Sequence, residues 1–114
     1  MPPEARIFLA EDFPPRSEVV KELLEDAGHQ VLLEAKSLEE GLSLISKAIK
    51  GGINVAVLDD GMPEEDDGEQ LAKLLREGIP GIKIVSISSR KVGYVDVYAG
   101  KEQLEDVGKI VTSL

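Results

Sequence analysis

Four short apolar runs recur along this chain: RIFLA (6–10), QVLLEA (30–35), INVAVLD (53–59) and IKIVSIS (82–88). Runs of this length and composition mark strands, and INVAVLD, apolar almost throughout, reads as a central one buried on both faces. Between the runs the apolar spacing becomes helical. Val19, Val20, Leu23, Leu24 and Ala27 fall on a helix that Pro14 and Pro15 open and Gly28 closes. SLEE (37–40) is a capping box, and its helix carries Leu38, Leu42, Ile45 and Ile49 on one face before Gly51 and Gly52 stop it. A third helix is expected from about Gly68 to Glu77 with Leu71, Leu74 and Leu75 inward, and GIPG breaks it. YVDVY (94–98) alternates and reads as a fifth strand. KEQLEDVGKIVTSL closes the chain as a helix, with Leu104, Val107, Ile110, Val111 and Leu114 on one face.

Strands alternating with helices imply an α/β domain with a mostly parallel sheet covered on both faces. At 114 residues, 42% of them hydrophobic, the chain forms one domain, 1–114, with a real core. Thirteen basic residues against 22 acidic give a formal charge of -9, which argues against nucleic acid as a partner. No cysteine is present, so disulfides, thiolate metal sites and thiol catalysis are excluded. The start MPPEARIFLA does not read as a signal peptide, and no run approaches a membrane span. A cytoplasmic protein is the expectation.

Open parallel sheets bind ligands beyond the carboxyl ends of their strands. Glu11 and Asp12 follow the first run, Asp59 and Asp60 the third, Ser88 and Ser89 the fourth; Lys101 comes three residues after Tyr98. All these ends share one edge of a parallel sheet. Clustered carboxylates need a counter-charge, and oxygen donors without His or Cys suit a hard cation such as Mg²⁺, with Mn²⁺ as a substitute. A carboxylate beside such an ion, faced by a hydroxyl and an ammonium, is arranged to receive a phosphoryl group.

In these residues the chain resembles the receiver domains of response regulators, of the chemotaxis-regulator type. The resemblance rests on Glu11-Asp12, on VAVLDDGMP ending in D-x-x-M-P, on Gly68 and Ser88, and on Tyr98 with Lys101. It covers essentially the whole chain and implies a flavodoxin-like fold with strand order 2-1-3-4-5. It further implies that Asp59 accepts the phosphoryl group, and that Glu11, Asp12 and Asp59 hold Mg²⁺ with the Gly61 carbonyl. Ser88 would bond the phosphoryl oxygen, Lys101 would pair with the phosphate, and Tyr98 would swing as Ser88 is drawn in. Asp60 receives no role.

Three departures accompany the resemblance. The acidic segment EEDDG (64–68) makes the loop after Met-Pro about one residue longer than the family's, and it reads as a solvated loop and the negative N-terminus of the third helix. Only SRKVG (89–93) separates the fourth and fifth strands, where receivers carry a fourth helix and a parallel crossover takes about a dozen residues. Five residues span at most roughly 17 Å, so the segment is either a taut extended link or a hairpin that reverses the fifth strand. The Tyr98–Lys101 register favours the link. Glu102 stands where the family has proline, which makes Lys91 a substitute for Lys101.

The function expected is that of a single-domain phospho-acceptor in a two-component system. Its donor would be a histidine kinase or histidine phosphotransfer protein, its output an unidentified protein partner, and its state monomeric, without nucleic acid or membrane. Turnover would be confined to self-catalysed phosphotransfer and autodephosphorylation. The alternative is a pseudo-receiver acting as a phosphorylation-independent binding module. A hydrolase of the aspartyl-phosphate kind lacks its second aspartate, because Gly61 stands there. His29 reads as structural or solvent-facing.

Overall fold

The computed structural model describes residues 5–59, 67–88 and 95–114, and of 88 and 100–103 the backbone. Its strands are β1 (Arg6–Ala10), β2 (Gln30–Ala35), β3 (Val55–Leu58), β4 (Lys83–Ser88) and β5 (Val97–Gly100). They form one parallel sheet in the order β2-β1-β3-β4-β5, as expected of the receiver fold. The helices are α1 (Pro14–Asp26), α2 (Leu38–Ser43), α3 (Ile45–Lys50), α4 (Asp67–Gly78) and α5 (Val107–Thr112).

Strand alternation sorts the core into two faces. Phe8, Ala10, Ala56, Leu58 and Ile84 pack with Ala48 of α3 and Leu71, Ala72 and Leu75 of α4. Ile7, Leu9, Val57, Val85, Ile87 and Ala99 pack with Val20 and Leu24 of α1 and Val107 and Val111 of α5. All four residues of β3 are buried, as a central strand requires.

The second helix departs from its expected face. Ser37 caps it, accepting the Glu40 N–H at 3.1 Å, and the Glu40 carboxylate reaches back to the Lys36 N–H. The helix then divides at Leu44, where the Ser43 hydroxyl donates to the Glu40 carbonyl and competes with the helical ladder. Gly41 and Ala48 face inward, while Leu42 and Ile49 are exposed. The close approach of α2 to α4 explains the rotation: a Cβ on Gly41 would lie 2.9 Å from a Leu71 methyl.

The fifth strand begins at Val97 rather than at Tyr94, and pairs in parallel with β4 from Val85↔Val97 to Ser88↔Gly100. This rules out the hairpin. The proposed link at 89–93 lies outside the described residues. Asp96 marks where pairing starts. Its N–H donates to the Ile84 carbonyl at 2.9 Å, and its carboxylate accepts the Ile84 N–H at 2.8 Å and Arg76 at 3.0 Å. The side chain thus accepts a ladder hydrogen bond that a backbone carbonyl would otherwise take.

Partial burial alone would raise the Asp96 carboxyl, but the Ile84 N–H and the Arg76 guanidinium outweigh it and hold it below its ordinary 3.8. A depressed folded-state value contributes stability above the unfolded value, and that contribution is lost as pH falls through the folded one. Asp96→Asn should therefore remove part of the stability lost on acidification below about pH 4. The difference should be under ~1 kcal/mol for so exposed a pair. Denaturant midpoints of both proteins at pH 6 and pH 3 measure it; parallel loss in the two would refute it.

After β5 the chain makes a 3₁₀ helix (Lys101–Asp106) before α5. Leu104 and Ile110 are partly buried in the core, but Leu114 is exposed because the helix stops at Thr112. His29 is buried and structural: Nδ1 accepts the Ala5 N–H at 3.1 Å, and Nε2 lies 2.8 Å from the Thr112 hydroxyl.

Candidate functional site

The ladder continues one residue past two strand ends. The Glu11 N–H donates to the Ala35 carbonyl at 3.0 Å, and the Asp59 N–H donates to the Ala10 carbonyl at 2.9 Å. Because Ala10 pairs with Leu58, the two acids that follow stand side by side. Each therefore occupies a backbone position as fixed as the sheet itself, although its side chain is a carboxylate. Glu11 is fully buried, Asp59 nearly so, and Asp12 turns out to the surface. Carboxylate oxygens of Glu11, Asp12 and Asp59 all lie within 4.8 Å of one another.

A cation already faces this corner. Pro14 and Pro15 occupy the first positions of α1, and the N–H groups of Arg16 and Ser17 both donate to the Phe13 carbonyl. This turn carries Arg16 back over the strand ends. Its Nη1 lies 2.5 Å from Glu11 Oε1 and 4.0 Å from Asp59 Oδ2. Its guanidinium carbon stacks 5.1 Å from the centre of the Phe13 ring, a favourable cation–π distance.

The corner fits a hard divalent cation on its own chemistry. Its donors are oxygens from three converging carboxylates, the set that Mg²⁺ and Mn²⁺ accept. Glu11 Oε2 is buried and has no hydrogen-bond partner among the described residues, a state that is costly unless something else supplies the partner.

The other expected residues divide. Ser88 ends β4 opposite Gly100, and Lys101 follows β5 directly, so both backbones reach the same edge of the sheet. Tyr98 lies within β5 opposite Ser86, and the strand runs on past it to Gly100. That extension is a correction to a strand ending at Tyr98. Asp60, Gly61 and Lys91 lie outside the described residues. Of EEDDG, Asp67 stands in the first turn of α4 with Gly68 beside it, at the negative helix N-terminus expected, but it is buried rather than solvated, and 64–66 lie outside the described residues. Sequence reasoning missed Arg16. Its signal was the lone basic residue in EDFPPR, between the acidic pair and the body of the first helix.

No family model matches the chain, and no curated protein does. Solved structures do. The receiver domain of the hybrid histidine kinase CckA is 27% identical with a TM-score of 0.79, over 96% of this chain and 97% of that one. The signal receiver domain of the putative response regulator NarL from Mycobacterium tuberculosis is 24% identical with a TM-score of 0.77, over 97% and 96%. A CheY-like receiver domain from Methanospirillum hungatei is 22% identical with a TM-score of 0.70, over 95% and 99%. No helix among the described residues is long and apolar enough to cross a membrane. By strand order and by likeness along nearly its whole length, this chain folds as a response regulator receiver domain.

Proposed function

We propose that the chain, as one receiver unit over 1–114, is a phospho-acceptor of two-component signalling whose acceptor is Asp59. The observation that carries this reading is the convergence of Glu11, Asp12 and Asp59 at the carboxyl edge of the sheet, two of them buried. Burial of Asp59 beside Glu11 is hard to account for as a stabilising device alone, since neighbouring carboxylates repel.

The donor is a phosphohistidine on a kinase or phosphotransfer protein. An Asp59 carboxylate oxygen attacks phosphorus; the new P–O bond forms as the P–N bond breaks, and the imidazole leaves with a proton on its ring. Glu11, Asp12, Asp59 and the Gly61 carbonyl would hold Mg²⁺, or Mn²⁺ in its place, and the bound ion would screen the charge gathering on the phosphoryl oxygens. Ser88 donates to a phosphoryl oxygen, and Lys101, at the start of the 3₁₀ helix, pairs with another. Rearrangement of Ser88 and Tyr98 then alters the surface around β5 that a protein partner reads. The monomer and the cytoplasm are the expected state and place.

Incubation with acetyl phosphate and Mg²⁺, followed by intact-mass measurement, tests the reading. The wild-type chain should gain one phosphoryl group, and Asp59→Asn should gain none. No gain, or a gain that survives Asp59→Asn, would leave a phosphorylation-independent binding module as the better description.

A further inference from the structure

We infer that Arg16 is a built-in counter-cation of the acidic corner, which a divalent ion must displace, and that it thereby sets the corner's affinity for the metal. The inference rests on the metal role proposed above and concerns a residue that role does not use.

Three carboxylates meet in the corner, and the Arg16 guanidinium lies against two of them, Glu11 and Asp59. Its closest contact, at 2.5 Å, is to the carboxylate of Glu11, a side chain with no solvent exposure. Asp59 Oδ2 is the second anion within ion-pair reach, at 4.0 Å. The Phe13 ring backs the guanidinium at 5.1 Å, and the turn after Pro14 and Pro15 fixes the backbone from which it reaches. A surface arginine usually keeps its head in water; here the side chain is only 26% exposed.

Two consequences follow from charge alone. Arg16 supplies counter-charge to Glu11 and, at longer reach, to Asp59. A divalent ion in the same corner meets a like charge a few ångströms away, across a poorly solvated gap where such repulsion is strong. Arg16 and the ion therefore oppose each other, and the coupling is reciprocal. Glu11 Oε2, without a partner among the described residues, shows that Arg16 satisfies only half of that carboxylate. The arginine holds the corner without filling it.

Mn²⁺ titration followed by the electron paramagnetic resonance of the free ion measures the effect directly, independent of phosphorylation. Arg16→Met should bind Mn²⁺ on the order of tenfold more tightly than wild type, within the usual range of coupling between sites. Arg16→Lys, which keeps the charge, should return the affinity toward the wild-type value. Without metal, Arg16→Met should melt below wild type, and Mn²⁺ should raise its melting temperature by more. Circular dichroism confirms that each variant folds, and Arg16→Gln carries the same expectation if the methionine variant does not. Equal or weaker binding by the uncharged variants overturns the inference, as does an Arg16→Lys affinity matching Arg16→Met. If wild type and variants all fail to bind Mn²⁺, the metal role itself falls, and this inference with it. If all bind alike and are phosphorylated on Asp59, only the inference about Arg16 falls.

Discussion

Phe8→Ala should cost the domain about 3–5 kcal/mol, the range for emptying a buried aromatic site. Phe8 lies on central strand β1 with no exposed surface. Its cluster includes Ala10, Ala35, Ala48, Ala56 and Ala72, the small residues that leave room for one large ring. Three of these alanines sit on strands of the same sheet, where the ladder prevents collapse into the space. Their methyl groups are too short to fill it from where they stand. Most of the cavity should therefore persist, placing the loss in the upper part of the range. The opposite face, mostly Ile, Leu and Val, has branched side chains that relax more easily around a deletion. A urea titration should show a lower midpoint with an unchanged slope. A loss under about 1.5 kcal/mol would mean that the alanine-lined face closes over the gap.

Gly108→Ala should also destabilise the domain, by about 1–3 kcal/mol, although alanine is the better helix former by about 1 kcal/mol. A Cβ at Gly108 would stand 2.8 Å from the Leu23 carbonyl oxygen and 2.8 Å from the Ala27 methyl. The first of these is backbone of α1 and can yield only if the helices part. Gly41→Ala is the matched comparison. There the obstacle is the end of the Leu71 side chain at 2.9 Å, which a rotamer change moves aside, so the gain in helix propensity roughly offsets the crowding. Equilibrium unfolding of the two variants side by side should separate them by more than about 1 kcal/mol. Equal effects would show that α1 and α5 are free to move apart.

Short apolar runs bounded by Gly, Pro and acidic residues were enough to locate β1, β2 and β4 within a residue; β1 and β4, buried on both faces, have little choice of composition, while β2 is a half-exposed edge strand. The split of the second helix was not legible. Its apolar residues keep helical spacing throughout, and the rotation that exposes Leu42 comes from Gly41 meeting α4 in space. The start of β5 was misjudged because Tyr94 to Tyr98 alternate like a strand. The observed strand instead ends in Ala99-Gly100, residues of low strand propensity that a neighbouring ladder holds in place.

At the site, Glu11, Asp12 and Asp59 were readable because each directly follows an apolar run, and parallel topology then forces the ends together. Arg16 was not, because nothing in the spacing of EDFPPR says that its side chain folds back over the strand it has just left. That direction is set by two prolines and an aromatic ring. The side chain's reach, not its position in the chain, brings it to Glu11.

The contact of Gly108 with Leu23 and Ala27 also dictates an order of events during synthesis. One side of the sheet is covered by α1, made early, and by α5, made late, and each is seated against the other's backbone. Until α5 has cleared the ribosome, Leu24, Val57, Val85 and Ile87 lack the cover that Val107 and Val111 supply. The Phe8 side, whose helices all precede β4, can close first. A nascent chain released just before α5 would thus present one finished face and one open apolar face, a form open to chaperone capture and proteolysis.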